Sequence, residues 1–319
     1  EYSAAGDYNS CQGYPVDSLI PTVYKPVGLI QKNATKMRFG ATGYLLDDSQ
    51  ARAGGVLRAR MKSVGPNLVV ANGPAIPNSN GEWDAATGVY VTNPDPADAT
   101  ASGVTNSGVI NYLNKFGKLT TSQLKSYDPF GELYYSALRS LRNMTPVPAY
   151  VSGLTVPMYD AFPVITTAVT EPTAPFTPTN LAPLPIQYSC QQNNIVGIAD
   201  TNCHTDVYVP GNTLAGYAGH PTTGLTDTDP VNAANNINVT TLGDAIGALE
   251  FSPAKALGTT YQGGGGRKNT FHIASLAYWA NTKDMLPDDA AKPWTTGKQQ
   301  AKSYFVDVRE VGSDGMINN

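Results

Sequence analysis

The residues best suited to chemistry crowd one stretch, QYSCQQNNIVGIADTNC from Gln187 to Cys203, and the His204 that follows it. Cys190, Cys203 and His204, with His220 further on, are ligand types that zinc accepts, and Asp200 closes an apolar run where a carboxylate could meet a hard cation. Reach argues against the zinc set. If Asn193 to Ala199 is extended, it spans roughly 23 Å at about 3.3 Å per residue, and the chain from Asp200 to Cys203 returns at most about 14 Å. Cys190 and Cys203 then stay beyond the ~7 Å that a disulfide bridges, and the set lacks C-x-x-C spacing.

Nucleophilic catalysis finds little support. G-x-S-x-G and H-E-x-x-H are absent, and His204, His220 and His272 have no nucleophile and acid arranged for a triad. GGGGRKNT (Gly263 to Thr270) lacks the Gly-Lys-Ser/Thr order of a phosphate loop, so it reads as a lead-in with Asn269 or Thr270 capping the next helix. His272 lies on that helix among small and apolar neighbours, as a hydrogen-bonded structural histidine would.

These residues need elements to position them. Val27, Ile30, Ala34 and Met37 recur at helical spacing behind Pro26, and the text then alternates from Met37 to Gly43 as a strand does. Gly55 to Met61 predicts a second strand, and Ser107 to Phe116 a helix. Asp128 to Arg142 predicts a stronger helix, with Asp128 as cap, Pro129 at the first position and Leu133, Ala137, Leu138 and Leu141 in one stripe. Asn193 to Ala199 reads as a buried strand, Leu242 to Leu249 and Thr270 to Asn281 as helices, and Lys302 to Glu310 as a final strand. Alternating helices and strands favour an α/β sheet with crossover connections. Residues 66–104, 144–188 and 204–240 are too long for ordinary α/β loops of about 2 to 6 residues. The middle one carries nine prolines between Pro146 and Pro185, which predicts an extended arm over the surface.

With 319 residues, the chain is long for one domain, so length alone leaves one elaborated domain and two equally open, and only 14% of the residues are charged. That low charge, beside abundant Gly, Pro and Tyr, suits an exported, loop-rich protein. A formal net charge of −4 with scattered Lys and Arg provides no basic stripe for nucleic acid. No run approaches the ~18 apolar residues of a transmembrane segment.

YKPVGLIQKNATKMRFGATGYL (Tyr24 to Leu45), GGVLRARMKSVGP (Gly54 to Pro66), DPFGELYYSALRSLRN (Asp128 to Asn143), CQQNNIVGIAD (Cys190 to Asp200), FHIASLAYWANTKDMLPD (Phe271 to Asp288) and SYFVDVRE (Ser303 to Glu310) together resemble the PilY-type tip-associated proteins of bacterial type IV pili. The resemblance implies a von Willebrand factor A-like, Rossmann-like α/β fold: a mostly parallel sheet flanked by helices, with the three long insertions. It implies that residues 1–319 form a single A-domain-like unit in the N-terminal part of a longer protein. It also implies minor pilins and the pilus tip as partners, a host or abiotic surface as adhesion target, and a place at the cell surface or outer membrane. Calcium or magnesium belongs to the full-length protein, with no cofactor required in this piece.

An A-domain cation site needs a D-x-S-x-S loop and a later acid. Asp200 stands at that acid's position, but the nearest loop, Asp47 to Ala51 (DDSQA), puts Ala51 where the second hydroxyl belongs. Asp200 is therefore expected to be the remnant of a metal site. In a parallel sheet Cys203 and Cys11 would lie at the same end, which allows that pair; pairing of Cys11 or Cys190 with a cysteine outside the piece is equally open. The functional expectation is a non-enzymatic tip protein for pilus assembly, retraction control and adhesion. The alternatives are a structural assembly subunit docking onto minor pilins and a divergent secreted hydrolase.

Overall fold

The computed structural model describes residues 11–15, 22–71, 73–115, 125–199, 203–228 and 233–308. The elements predicted from periodicity form. After a hairpin of β1 (Cys11–Tyr14) and β2 (Val23–Pro26), α1 (Leu29–Asn33) makes a single turn and leads into β3 (Phe39–Gly43) and β4 (Val56–Lys62). Next come α2 (Pro96–Ala101), α3 (Val109–Lys115) and α4 (Phe130–Leu141). Two one-turn helices follow, α5 (Val156–Tyr159) and α6 (Pro178–Leu181). The remainder is β5 (Asn193–Ala199), α7 (Val239–Glu250), α8 (His272–Thr282) and β6 (Ala301–Asp307).

Among the described residues the strands pair as three two-stranded sheets: β1–β2 and β3–β4 antiparallel, β5–β6 parallel. Parallel pairing is thus limited to the last ladder, where α7 and α8 supply the crossover. The hairpin has no counterpart in the predicted elements. It places Cys11 opposite Pro26 in an antiparallel pair rather than behind a parallel strand.

α4 is the hub. It packs against β3, β4, β5 and α8. Its apolar stripe extends further round than predicted, since Tyr134, Tyr135, Leu138 and Leu141 are all buried. They join Tyr150, Ile186, Ile195, Leu276, Trp279 and Met285 in the main core. Glu132 and Ser136 are buried on the same helix, so these polar side chains must be satisfied internally.

The 144–188 segment is not merely draped on the surface. It contributes Tyr150, Phe162, Val164, Leu181, Leu184 and Ile186 to buried clusters, and the buried Ile165 bridges to Leu57 of β4. Two arginines hold it, Arg58 buried and Arg38 half-buried. Arg38 donates to the carbonyls of Ala182, Leu184 and Pro185, and to that of Met61, at 2.7–3.1 Å. Arg58 donates to those of Tyr44, Met158, Tyr159 and Pro163. Burial pulls the Arg38 guanidinium down to about 10, against the pull of Tyr188. The 66–104 segment is pinned by a carboxylate instead. Glu82, 1% exposed, accepts from the Val109 and Ile110 amides that open α3, at 2.8 and 2.7 Å, and pairs with Lys62 at 3.2 Å.

Candidate functional site at the carboxyl end of β5

Asp200 lies outside the described residues; the chain is described again from Cys203. From there it turns onto the amino end of α4. Thr205 adopts a left-handed conformation (φ 54°), unusual for a β-branched residue, and its amide donates to the Arg267 carbonyl. That turn points Asp206 at α4, where its Oδ1 accepts from the Glu132 amide at 3.1 Å. Asp206 thus does for α4 what Asp128 was expected to do. It caps from across the fold, satisfying a first-turn donor that no residue preceding the helix reaches.

Asp128 is engaged elsewhere. Its Oδ1 lies 2.9 Å from Nδ1 of His204, and its carbonyl accepts from the His204 amide at 3.2 Å. Tyr127 packs edge-on against the imidazole, with centroids 5.6 Å apart. A carboxylate-oriented histidine is half of a general-base arrangement. Among the described residues no hydroxyl or thiol hydrogen-bonds to its Nε2.

Glu132 is the centre of the cluster and is 0% exposed. Its Oε1 accepts from the amides of Val207 (3.1 Å) and Tyr208 (2.6 Å), and its Oε2 from that of Gly54 (2.5 Å). His220 completes it: Nδ1 donates to the Pro221 carbonyl at 2.7 Å, while Nε2 faces Glu132 Oε1 at 3.3 Å with its side chain wholly buried. Because Nδ1 is already committed as a donor, two lone pairs would meet at that contact unless a proton lies between them. Glu132 thus gathers three groups in one buried polar cluster: its carboxylate faces His220, and its amide donates to Asp206. Asp206 carries the strain: burial, then the neighbouring Glu132 charge, push its carboxyl up to about 7. The Glu132 and Gly131 amides and the Cys203 thiol oppose that rise. The Tyr44 hydroxyl is likewise pushed well above its ordinary range by burial, then by Asp128, Cys203, Asp206 and Glu132.

Gly131 permits the approach. A Cβ there would lie 2.7 Å from Asp206 Oδ1 and 2.8 Å from Oδ2, closer than real contacts allow.

Asp47, first of the DDSQA stretch, accepts from the Ser49 amide and pairs with Arg52 at 3.0 Å. Although burial would raise it, those partners hold its carboxyl below the usual range. With a guanidinium on the acid and the Ser49 hydroxyl accepting from the Ala51 amide, the loop does not present an oxygen shell. Among the described residues no group of three or more His, Cys, Asp or Glu is placed to hold a metal ion. Cys203 is a buried thiol 3.7 Å from Asp206 Oδ2, Cys11 is half-buried on β1 and Cys190 is exposed; no disulfide joins them. His272 is wholly buried on α8, its Nε2 donating to Asn212 Oδ1 at 2.7 Å, and burial lowers it to about 3. At the head of α8, the Thr270 hydroxyl accepts from the His272 amide at 3.1 Å, as a cap residue does.

Sequence reasoning did not single out Glu132, Asp206, Arg38, Arg58 or Glu82. A usable signal existed for three of them: one Glu inside the apolar pattern of α4, and Arg38 and Arg58 beside or within half-buried strands. For Asp206 there was none, because its partner lies 74 positions away.

A model of the second domain of PilY1 homologs matches residues 48–270. A curated Type IV pilus biogenesis factor PilY1 homolog from Xylella fastidiosa is 35% identical over 329 residues, an alignment covering 97% of this chain and 24% of that protein. The chain therefore spans about a quarter of the length of this relative. No solved structure matches it significantly.

Proposed function

Because this chain belongs to the PilY1 homolog family, we propose that it serves type IV pilus biogenesis as a non-enzymatic module that presents a contact surface at the cell exterior. The most perturbed acid, Asp206, is sealed from solvent with Glu132 and spent on backbone donors, which suits a structural role. The observation that carries a contact role is an apolar patch on the first insertion. Val89, Tyr90 and Val91 are exposed next to Leu29, itself 78% exposed, and Tyr24. The patch is built rather than loose. The Tyr90 hydroxyl donates to Gln31 Oε1 at 3.0 Å, Lys25 Nζ donates to the Thr87 carbonyl at 2.7 Å, and Trp83 bridges to Tyr90. Tyrosine and contiguous apolar surface are what contact sites favour.

The test leaves the insertion in place, because Glu82, Asp95 and Asp98 tie it to Lys62 and Arg60. In cells carrying the full-length protein, Val89→Asp with Tyr90→Ser should abolish surface attachment and spare pilus assembly. Loss of assembly with normal protein levels would favour docking onto minor pilins instead. Unchanged attachment and assembly would remove the patch from the function.

A further inference from the structure

The β5–β6 ladder is dressed on one face only. Ile195 and Ala301 lie in the core beneath α4 and α8, the Tyr134 hydroxyl meets that of Ser303 at 2.5 Å, and Phe130 packs on Phe305. The other face carries Val196 opposite Tyr304 and Ile198 opposite Val306, with Val308 next in line. These residues are 65%, 53%, 66%, 53% and 52% exposed, respectively. Parallel strands occur almost only where both faces are covered, and this face is apolar throughout its carboxyl half. Of the crossover helices, α8 packs on β6 from the dressed side and α7 packs on α8, while the residues of the other face stay more than half exposed.

We propose that this face docks against another segment of the same polypeptide, one lying outside these 319 residues, which completes a sheet covered on both sides. The Xylella fastidiosa homolog is about four times as long as the matched region, so sequence for the cover exists in a protein of this family. The face bears no charge between Val196 and Val306, so its cover is apolar, as an intramolecular layer is. The proposal is independent of the attachment patch, which lies on the first insertion.

Hydroxyl-radical footprinting of the purified full-length polypeptide tests it. Relative to the exposed reference residues Leu29 and Val156, and after correction for intrinsic reactivity, Tyr304 and Ile198 should be oxidised about tenfold more slowly, at every protein concentration. Ile198→Asp should restore oxidation of Tyr304 to the reference rate, whereas Leu29→Asp should leave it slow. Two outcomes overturn the proposal. Oxidation of Tyr304 at the reference rate means an open face, and protection that vanishes on dilution means a second copy of the protein.

Discussion

Replacing Asp206 by Asn should remove a pH dependence that the native protein carries. The Asp206 carboxyl, ordinarily near 3.8, stands at about 7 in the fold, a difference worth ~4 kcal/mol at 1.36 kcal/mol per unit. The sign follows from proton counting. Below the unfolded value both states hold the proton; between ~4 and ~7 only the folded state does, so stability falls by ~1.4 kcal/mol per pH unit as pH rises. Above ~7 the folded protein bears the full cost of a buried charge beside Glu132. Asparagine keeps an oxygen for the Glu132 amide and turns an uncharged amide toward Cys203, imitating the protonated acid. From about pH 5 to about pH 8, Asp206→Asn should therefore gain ~3 kcal/mol relative to the native chain. The difference between the two proteins is the informative quantity, because every other ionisable group is common to both. Urea unfolding at four pH values across that range measures it. Parallel stability profiles would refute the reasoning.

Three further outcomes are expected. Gly131→Ala, which in an ordinary helix interior stabilises by up to ~1 kcal/mol, should instead destabilise by ~2 kcal/mol through the clash with Asp206; in an Asp206→Ala background the penalty should disappear, and an additive double-mutant cycle would contradict the contact. Arg38→Met strips the donors from four carbonyls and should cost ~3 kcal/mol, with proteolysis near residues 178–188 rising before global unfolding; uniform loss of protection would argue against a local clamp. Glu82→Gln keeps the shape but weakens acceptance from the α3 amides and leaves Lys62 with Asp95 alone, for a loss of ~2 kcal/mol by thermal or urea unfolding; a neutral result would show that Glu82 is protonated and already uncharged.

Periodicity located the strands at Phe39–Gly43, Val56–Lys62, Asn193–Ala199 and Ala301–Asp307 to within a few residues, and the four longer helices likewise, because each follows from local apolar spacing. Burial was harder to read. Asn193–Ala199 has the composition of a strand covered twice, yet Val196 and Ile198 are open, since what covers a face is set by distant chain. The same limit hid the cap of α4: Asp128 sits at the right spacing, but His204 takes it and Asp206 replaces it. The reach argument kept Cys203 apart from Cys190, but no local pattern foretells that the chain after Cys203 buries an acid against the Glu132 amide. In the proline-rich arm, composition suggested an extended path; it could not reveal that Arg38 and Arg58 would draw that path into the core.

Those two arginines grip the arm by main-chain oxygens alone: every acceptor they take from it is a carbonyl. A clamp of this kind is indifferent to which side chains pass through it. The identity of most residues at 157–185 can drift without moving the backbone, provided the two guanidinium groups and the few buried apolar positions stay. The fold thereby separates the course of an insertion from its lettering, leaving the outward side chains open to diversification on a fixed track.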